Sequence, residues 1–193
     1  MTVTTHSRKQ AAVPAPGGLP EPIALASSYE IARRLDVDRR QAQRLAEVGL
    51  LGPLYRSEGS VLVQVDHLDT LATRPFLDGP HPAALVVRVA PARPDEDDPE
   101  RDYLGWHHDL TQQQRWDGTR GWWSVKNPDD VTTLLVVVCT FIVEVLTVTS
   151  HDTGLGDKRR FHVRPAPKAG RPFTGRRVRT PPGGSTYLLR EQP

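Results

Sequence analysis

The first periodic pattern of apolar positions in the chain has helical spacing and begins near residue 28. Ile31 and Leu35 fall on one face of a helix. Just before them, Ser27 places a hydroxyl three residues ahead of the carboxylate of Glu30, which is the capping-box pattern of a helix start. We therefore expect a first helix that starts after Ser27 and ends near residue 36.

A second helix with the same kind of start signal follows after about three residues. Asp38 stands three residues before Gln41 and is placed to cap the new helix. Ala42 and Leu45 fall on one helical face, and Gly49 suits the C-terminal end. Two helices with so short a connection are typical of a helix-turn-helix unit.

A short hairpin and a third helix complete this part of the pattern. Residues 61–65 are expected to pair with residues 54 and 55 across a turn at 57–60. Asp66 is placed to cap a last helix over residues 67–73, which Pro75 ends. The pattern predicts an ordered unit over residues 25–77, preceded by an Ala-, Pro- and Gly-rich tail over residues 1–24 that we expect to be disordered.

From residue 78 onward, short strands replace helical periodicity. Strands are expected at residues 84–89, 134–139, 142–149, 160–164, at Val178 and at 187–189. The second and third of these are either two strands or one bent strand. Their spacing predicts a β-rich domain over residues 78–193, built as a small barrel or a curled sheet. The expected fold class of the whole chain is therefore α+β.

Composition narrows the class of protein. The chain has 193 residues, 37% of them apolar, with 18 Pro and 15 Gly, which suggests one or two domains with long loops. The single cysteine, Cys139, excludes a disulfide framework, and its apolar surroundings predict a buried thiol. The chain shows no signal-peptide pattern, and the apolar stretch 134–148 is too short to span a bilayer. We expect a cytoplasmic, nucleoid-associated protein with no membrane partner.

The net charge of +2 conceals an uneven distribution. Basic and acidic residues number 9 and 9 over residues 1–80, 6 and 10 over residues 81–132, and 10 and 4 over residues 133–193. Six acidic residues lie in the loop 91–102, which we expect to be solvated, and the segment 158–190 is basic. Its arginines and lysines include Arg159, Arg160, Lys168, Arg171, Arg176, Arg177 and Arg179. They either neutralise the phosphates of a polyanion or pair with the acidic loop within the fold.

The run EIARRLDVDRRQAQRLAEVGLLGP, followed by RSEG and VDHLDTL, resembles the DNA-binding domain of the MerR and excisionase superfamily. The match covers residues 27–73. Residues 30–32 match the opening of the first helix, residues 36–38 the turn, and residues 49–53 the end of the recognition helix. The resemblance implies a winged helix-turn-helix that binds double-stranded DNA through its second helix.

The resemblance and the helical spacing together indicate which side chains contact DNA. Ala42 and Leu45 face the core, so the polar residues at the start and flank of the second helix face outward: Arg39, Arg40, Gln41, Gln43 and Arg44. In the major groove, Arg donates two hydrogen bonds to guanine and Gln pairs in the same way with adenine. The N-terminal residues of a recognition helix are those that reach the base edges. The simpler alternative is that these side chains only coat a solvated surface.

Two departures from the superfamily pattern limit what the resemblance implies. The wing usually carries Gly-Tyr-Arg-x-Tyr, whereas here Ser60 and Val61 follow Gly59, so Arg56 is the candidate for the phosphate contact of the wing. No 3.5-residue repeat follows Leu71, so the long dimerisation helix of MerR regulators is missing and ligand sensing is not implied. An excisionase-like docking module fits better, and a homodimer would form through the β-rich domain.

The second half of the chain offers Trp122 and Trp123 as base-stacking candidates. The pattern RGWWSV, RRFHV and FTGRRV within residues 120–178 is loosely similar to PUA-like and EVE-like barrels, which bind RNA or flipped bases in an aromatic pocket. Neighbouring residues of a strand face opposite sides of the sheet. At most one of the two tryptophans is therefore expected in the core.

No enzymatic activity is expected. His107, His108 and Asp109 form the best acid–base or metal candidate, but no third convergent ligand accompanies the two histidines. The chain also lacks a P-loop, a nucleophile elbow and a Cys-x-x-Cys pair. We therefore predict no catalytic residue, no metal and no cofactor.

The predicted function is sequence-specific binding of double-stranded DNA, in transcription regulation or as an accessory factor of recombination or replication. Three alternatives stay open. They are a nucleic-acid base reader built on the β-rich domain, a protein-interaction module, and, least favoured, a hydrolase around residues 107–109.

Overall fold

The computed structural model describes residues 23–57, 59–166 and 170–193. The tail predicted over residues 1–24 lies outside these ranges except for its last two residues. Within them the fold is α+β, as predicted, with four α-helices and with strands arranged in sheets of three, six and two. None of the helices in these ranges has the length and apolarity that crossing a membrane requires.

The N-terminal unit contains β1 (Leu25–Ser27), α1 (Ser28–Leu35), α2 (Arg39–Glu47), β2 (Tyr55–Ser57), β3 (Ser60–Gln64) and α3 (Val65–Ala72). The three strands form an antiparallel sheet in the order β1-β3-β2. The predicted hairpin is confirmed, with Arg56 opposite Val61. The strand β1 has no counterpart among the predicted elements, because it is only three residues long and is recognisable only by its pairing with β3.

Both predicted starts of the first two helices are confirmed. The Ser27 hydroxyl accepts the backbone N–H of Glu30 at 3.4 Å, and the Asp38 carboxylate accepts that of Gln41 at 2.8 Å. The Glu30 carboxylate binds Arg34, one helical turn along, instead of returning to the residue at the cap. The capping box of α1 is therefore half formed, and the hydroxyl supplies the cap.

The third helix starts earlier than predicted and closes the N-terminal core. Because β3 runs directly into α3 at Gln64, Asp66 lies in the first turn of the helix and does not cap it. Leu68 and Leu71 of α3 are buried. They belong to the same apolar cluster as the predicted core positions of α1 and α2, namely Ile31, Leu35, Ala42 and Leu45.

The β-rich unit contains β4 (Ala84–Arg88), β5 (Arg93–Pro94), β6 (Tyr103–Leu104), α4 (Gln112–Thr119), β7 (Trp123–Ser124), β8 (Thr133–Val138), β9 (Phe141–Thr153), β10 (Lys158–Pro165) and β11 (Thr186–Leu189). Six of these strands form one sheet in the order β11-β4-β8-β9-β10-β7, in which only β4 and β8 are parallel. Its two end strands line the same cavity of about 340 Å³, together with Leu85, residues 125–127 and residues 130–131. The sheet is therefore nearly closed and barrel-like.

Several details of this unit differ from the predictions. Residues 133–153 form two strands, and Cys139 lies in the turn between them with a φ of 58°. Val178 is buried but belongs to no strand. The helix α4 was not expected, although Thr111 and Gln114 form a complete capping box at its start. That signal was present in the sequence, but the helix is too short and too polar to show an apolar face.

Arg177 fastens the β-rich unit to the N-terminal unit. Its Nη2 donates to the carbonyl of Leu35 at the end of α1 at 2.7 Å, and its Nε donates to the Thr140 hydroxyl at 3.1 Å. The guanidinium lies over the rings of Phe76 and Phe141, 4.4 and 4.6 Å from their centroids. Only 6% of Arg177 is exposed. This arginine, predicted as part of a basic surface, is thus unavailable to a polyanion.

Candidate nucleic-acid interface

The outer side of α2 carries the side chains that were predicted to contact DNA. Ala42, Leu45 and Ala46 are buried on its inner side. Four of the five predicted residues are exposed and Gln41 is half-buried: Arg39, Arg40, Gln43 and Arg44 are the exposed ones. The structure therefore brings all five to the surface of one short helix, which the cap at its N-terminus holds in place.

These side chains divide between two flanks of α2. Gln41 and Arg44, three residues apart, line a cleft between α2 and the β-rich unit. Arg40 and Gln43 are exposed on the open side, where the Gln43 amide donates to the Glu47 carboxylate at 2.8 Å. The open side is accessible to a large partner, whereas the other flank has the β-rich unit as a neighbour.

The arginines of α2 have no carboxylate partner among the described residues. Within the described ranges, no carboxylate oxygen lies within 4.0 Å of the guanidinium groups of Arg39, Arg40 or Arg44. On the neighbouring helix, by contrast, Arg34 binds both Glu30 and Asp69. The outer face of α2 is therefore positively charged, and no carboxylate of the described residues forms an ion pair with its arginines.

The hairpin places Arg56 on β2, at the edge of the three-stranded sheet. Arg56 is exposed, and Gly59 next to the hairpin tip has a φ of +78° that favours glycine. A hydrogen bond of 2.9 Å from the Gln64 amide to the Tyr55 hydroxyl joins the two strands. Glu58 lies outside the described residues. Arg56 thus lies on the hairpin, an element separate from α2.

Trp122 and Trp123 face different environments, as expected for neighbours in an extended chain. Trp123 packs against the core, and its indole N–H donates to the carbonyl of Thr119 at 3.2 Å. Trp123 is half-buried and is thus the one of the two tryptophans whose ring packs against the core. Trp122 is 42% exposed and lies against the guanidinium of Arg160, 4.7 Å from the ring centroid. Only Trp122 has a ring available to a ligand.

The acidic loop and the basic segment pair with each other in part. Arg160 of β10 binds Asp98 at 2.7 Å and Glu100 at 2.8 Å. The backbone N–H of Glu100 and the guanidinium of Arg160 hold the pKa of Asp98 below its usual value. The side chains of Asp95 and Asp98 are only 8% and 14% exposed, so these two residues are not solvated as predicted. For Arg160, pairing within the fold replaces binding to a polyanion. Lys168 lies outside the described residues.

The histidine cluster lies near the C-terminal end of α2. His107 and His108, together with His67 from α3, line a cavity of about 460 Å³. The Asp109 backbone N–H donates to Nδ1 of His107 at 3.1 Å, and the His108 backbone N–H donates to the carbonyl of Val48 at 2.9 Å. In the described part of the chain, no group of three or more His, Cys, Asp or Glu residues is arranged to hold a metal ion. The backbone bond from His108 to Val48 thus attaches the cluster to the C-terminal end of α2.

Comparison of the chain with protein-family models, with curated proteins and with solved structures gave no match.

Proposed function

We propose that residues 25–72 act as a winged helix-turn-helix and that the protein binds double-stranded DNA sequence-specifically. In this proposal α2 is the recognition helix and the β2–β3 hairpin is the wing. The observation that carries the proposal is the set of exposed arginines on α2 without a carboxylate partner among the described residues. A polyanion is the partner that such a surface fits best.

The chemistry of the exposed side chains fits the major groove. Arg39 and Arg40 stand in the first turn of α2, which is the part of a recognition helix that reaches base edges. A guanidinium donates two parallel hydrogen bonds to O6 and N7 of guanine, and the Gln43 amide is able to pair with adenine. Arg56 on the hairpin would contact a phosphate beside the groove. Base recognition is thus assigned to α2, and one phosphate contact to the hairpin.

The biological role that we propose is transcription regulation, or an accessory role in recombination or replication. The protein would then act in the cytoplasm, associated with the nucleoid. A homodimer is part of this proposal, because regulators commonly bind paired half-sites as dimers. Sedimentation of the protein with and without a selected duplex would give its stoichiometry.

Selection of bound sequences from a random duplex pool tests the proposed function directly. We expect enrichment of one sequence motif, and an affinity that falls steeply with salt. Arg39→Ala combined with Arg40→Ala should abolish the sequence preference, at a cost of about 1–3 kcal/mol for each base that the variant no longer recognises.

The matched control for this double variant is Arg93→Ala combined with Arg190→Ala, which removes the same charge from exposed positions outside the N-terminal unit. The control should keep the motif and nearly all of the affinity. Equal binding by the two double variants would contradict the assignment of α2 as the recognition helix.

Trp122 supports a second candidate function, the reading of single-stranded or flipped bases by the β-rich unit. Its exposed ring is able to stack on a base, although Asp98 and Glu100 neutralise the neighbouring Arg160 and would repel phosphates. The two candidates differ in the effect of Trp122→Ala. That change should leave duplex affinity unaltered if α2 binds DNA, and should reduce single-strand affinity by about 1–3 kcal/mol if Trp122 stacks a base. Titration with both ligands decides between them.

A further inference from the structure

A cleft of about 400 Å³ separates α2 from the β-rich unit. On one side, α2 contributes Gln41 and Arg44. On the other side stand Arg88 at the end of β4, Cys139 in the turn between β8 and β9, and Ser185 just before β11. The cleft therefore exists only because the two units are packed together, and residues more than 140 positions apart in the chain meet across it.

The Arg88 side chain is held in place without being neutralised. Its Nη1 donates to the carbonyls of Pro181, Gly183 and Gly184, at 3.2, 2.7 and 3.2 Å. Carbonyl oxygens carry no formal charge, so the guanidinium keeps its full positive charge. Its Nε and Nη2 have no acceptor within the described ranges. They are therefore free to donate hydrogen bonds to a ligand in the cleft.

The cleft has a positive electrostatic field. Its lining contains two guanidinium groups and no carboxylate. Arg44 and Arg88 both lower the pKa of the Cys139 thiol, while the carboxylate of Asp38 raises it. Burial outweighs all three charges and raises that pKa to about 11. The nearby Asp38 is engaged as the cap of α2, through its bond to the N–H of Gln41. The charged groups around Cys139 are thus two guanidinium groups, those of Arg44 and Arg88, and one carboxylate, that of Asp38, which is hydrogen-bonded in the helix cap.

We propose that this cleft binds a phosphate group and, resting on the function proposed above, that the group is a backbone phosphate of the bound duplex. Arg44 and Arg88 would donate charge-assisted hydrogen bonds from opposite walls, with the Ser185 hydroxyl and the Gln41 amide as further donors. A helix that lies in the major groove has the phosphate backbone along its flanks, and Gln41 and Arg44 form such a flank. The β-rich unit thereby supplies half of a DNA contact.

A carboxylate placed in the cleft tests this proposal. Ser185→Glu leaves the bonds of Arg88 to residues 181, 183 and 184 intact and adds a negative charge beside it. We expect duplex affinity to fall about tenfold for all sequences alike, with the salt dependence reduced by about one phosphate contact. Ser150→Glu, at an exposed position of β9, is the control with the same charge change and should bind as the wild type does.

Cys139 supplies an independent readout in the unmodified protein, because it is the only cysteine in the chain and it lines the cleft. Alkylation of this thiol by iodoacetamide should slow when the selected duplex is added to the wild type. The same duplex should protect the thiol of Ser185→Glu much less. Sodium chloride at equal ionic strength is the control and should not protect it.

Inorganic phosphate in the same alkylation assay separates the two sources of a phosphate group. Protection by the duplex at micromolar concentration supports the backbone phosphate. If the wild type fails to bind any duplex but inorganic phosphate protects Cys139, the proposed function fails and the cleft holds a free phosphate or a small phosphorylated molecule. If the wild type binds duplex, Ser185→Glu binds equally well and neither ligand protects Cys139, the cleft proposal is overturned and the proposed function stands.

Discussion

Arginines that look alike in the sequence have three different environments in this protein. Arg40 is exposed on α2, Arg160 is paired with two carboxylates, and Arg177 is buried between two aromatic rings. Local pattern predicted the first, because the burial of Ala42 and Leu45 on one helical face forces Arg40 outward. For Arg160 it left pairing with the acidic loop as one of two alternatives, and it did not predict the burial of Arg177, because the partners of both lie far away in the chain. Charge counts along a sequence therefore overestimate the positive surface that is available to a polyanion.

At the residue scale, Arg177 should be one of the most sensitive positions for stability. We expect Arg177→Ala to lower the free energy of unfolding by about 2–4 kcal/mol, because it leaves the Leu35 carbonyl without its donor and a void between Phe76 and Phe141. Arg177→Lys should recover only part of the loss, since an ammonium lacks the planar fork that donates in two directions. Urea unfolding measures both.

The matched control is Arg171→Ala, an exposed position in the same basic segment, which should change the unfolding free energy by less than about 0.5 kcal/mol. If Arg177→Ala and Arg171→Ala unfold at the same urea concentration, Arg177 does not stabilise the packing of the two units.

At the scale of the element, the short helices depend on their caps. The helix α2 has only nine residues, which is below the length at which an isolated helix is stable in water. Its cap and its buried face must therefore hold it in the position that the proposed DNA contact needs. The helix α4 also has a complete start signal, the capping box of Thr111 and Gln114, but it was missed because no apolar face accompanies that signal.

Asp38→Ala tests the importance of the cap for α2. The change removes the acceptor of the Gln41 N–H and should cost about 1 kcal/mol of stability, with fraying of the first turn that carries Arg39 and Arg40. Asp38→Asn keeps an acceptor oxygen and should be close to the wild type in stability. Unfolding curves and duplex affinity of both variants check this, and equal losses in the two would show that the carboxylate charge, not the cap, is what matters.

At the scale of the whole molecule, the β-rich unit is more than an attached domain. Its contacts with the N-terminal unit include the bonds of Arg177 and the approach of the Cys139 thiol to the carbonyl of Gln41, at 3.6 Å. Cys139 also lines the cleft beside α2, together with Arg88 and Ser185 of the same unit. The N-terminal unit carries the proposed base contacts, and the β-rich unit carries half of the proposed phosphate contact. In this proposal the two units therefore form one continuous DNA-binding surface.

Local patterns in the sequence account for the features that depend on neighbouring residues. The caps of α1 and α2, the hairpin and the apolar faces of the first three helices follow from hydrogen bonds and periodicities within a few residues. The division of Trp122 and Trp123 between surface and core follows in the same way from the alternation of an extended chain. For this reason the five polar residues of α2 could be named as candidate contacts before the fold was known.

The contacts between distant residues, in contrast, depend on how the whole chain packs. The parallel pairing of β4 with β8, the pairing of Arg160 with the acidic loop and the burial of Arg177 each join positions about 50 or more residues apart. No local pattern specifies such pairs, because each depends on how the strands and loops between them pack, and many pairings satisfy the same apolar and charged positions. The cleft of Arg44, Arg88 and Ser185 also depends on tertiary packing, since its two walls come from segments that lie far apart in the chain and meet only in the fold.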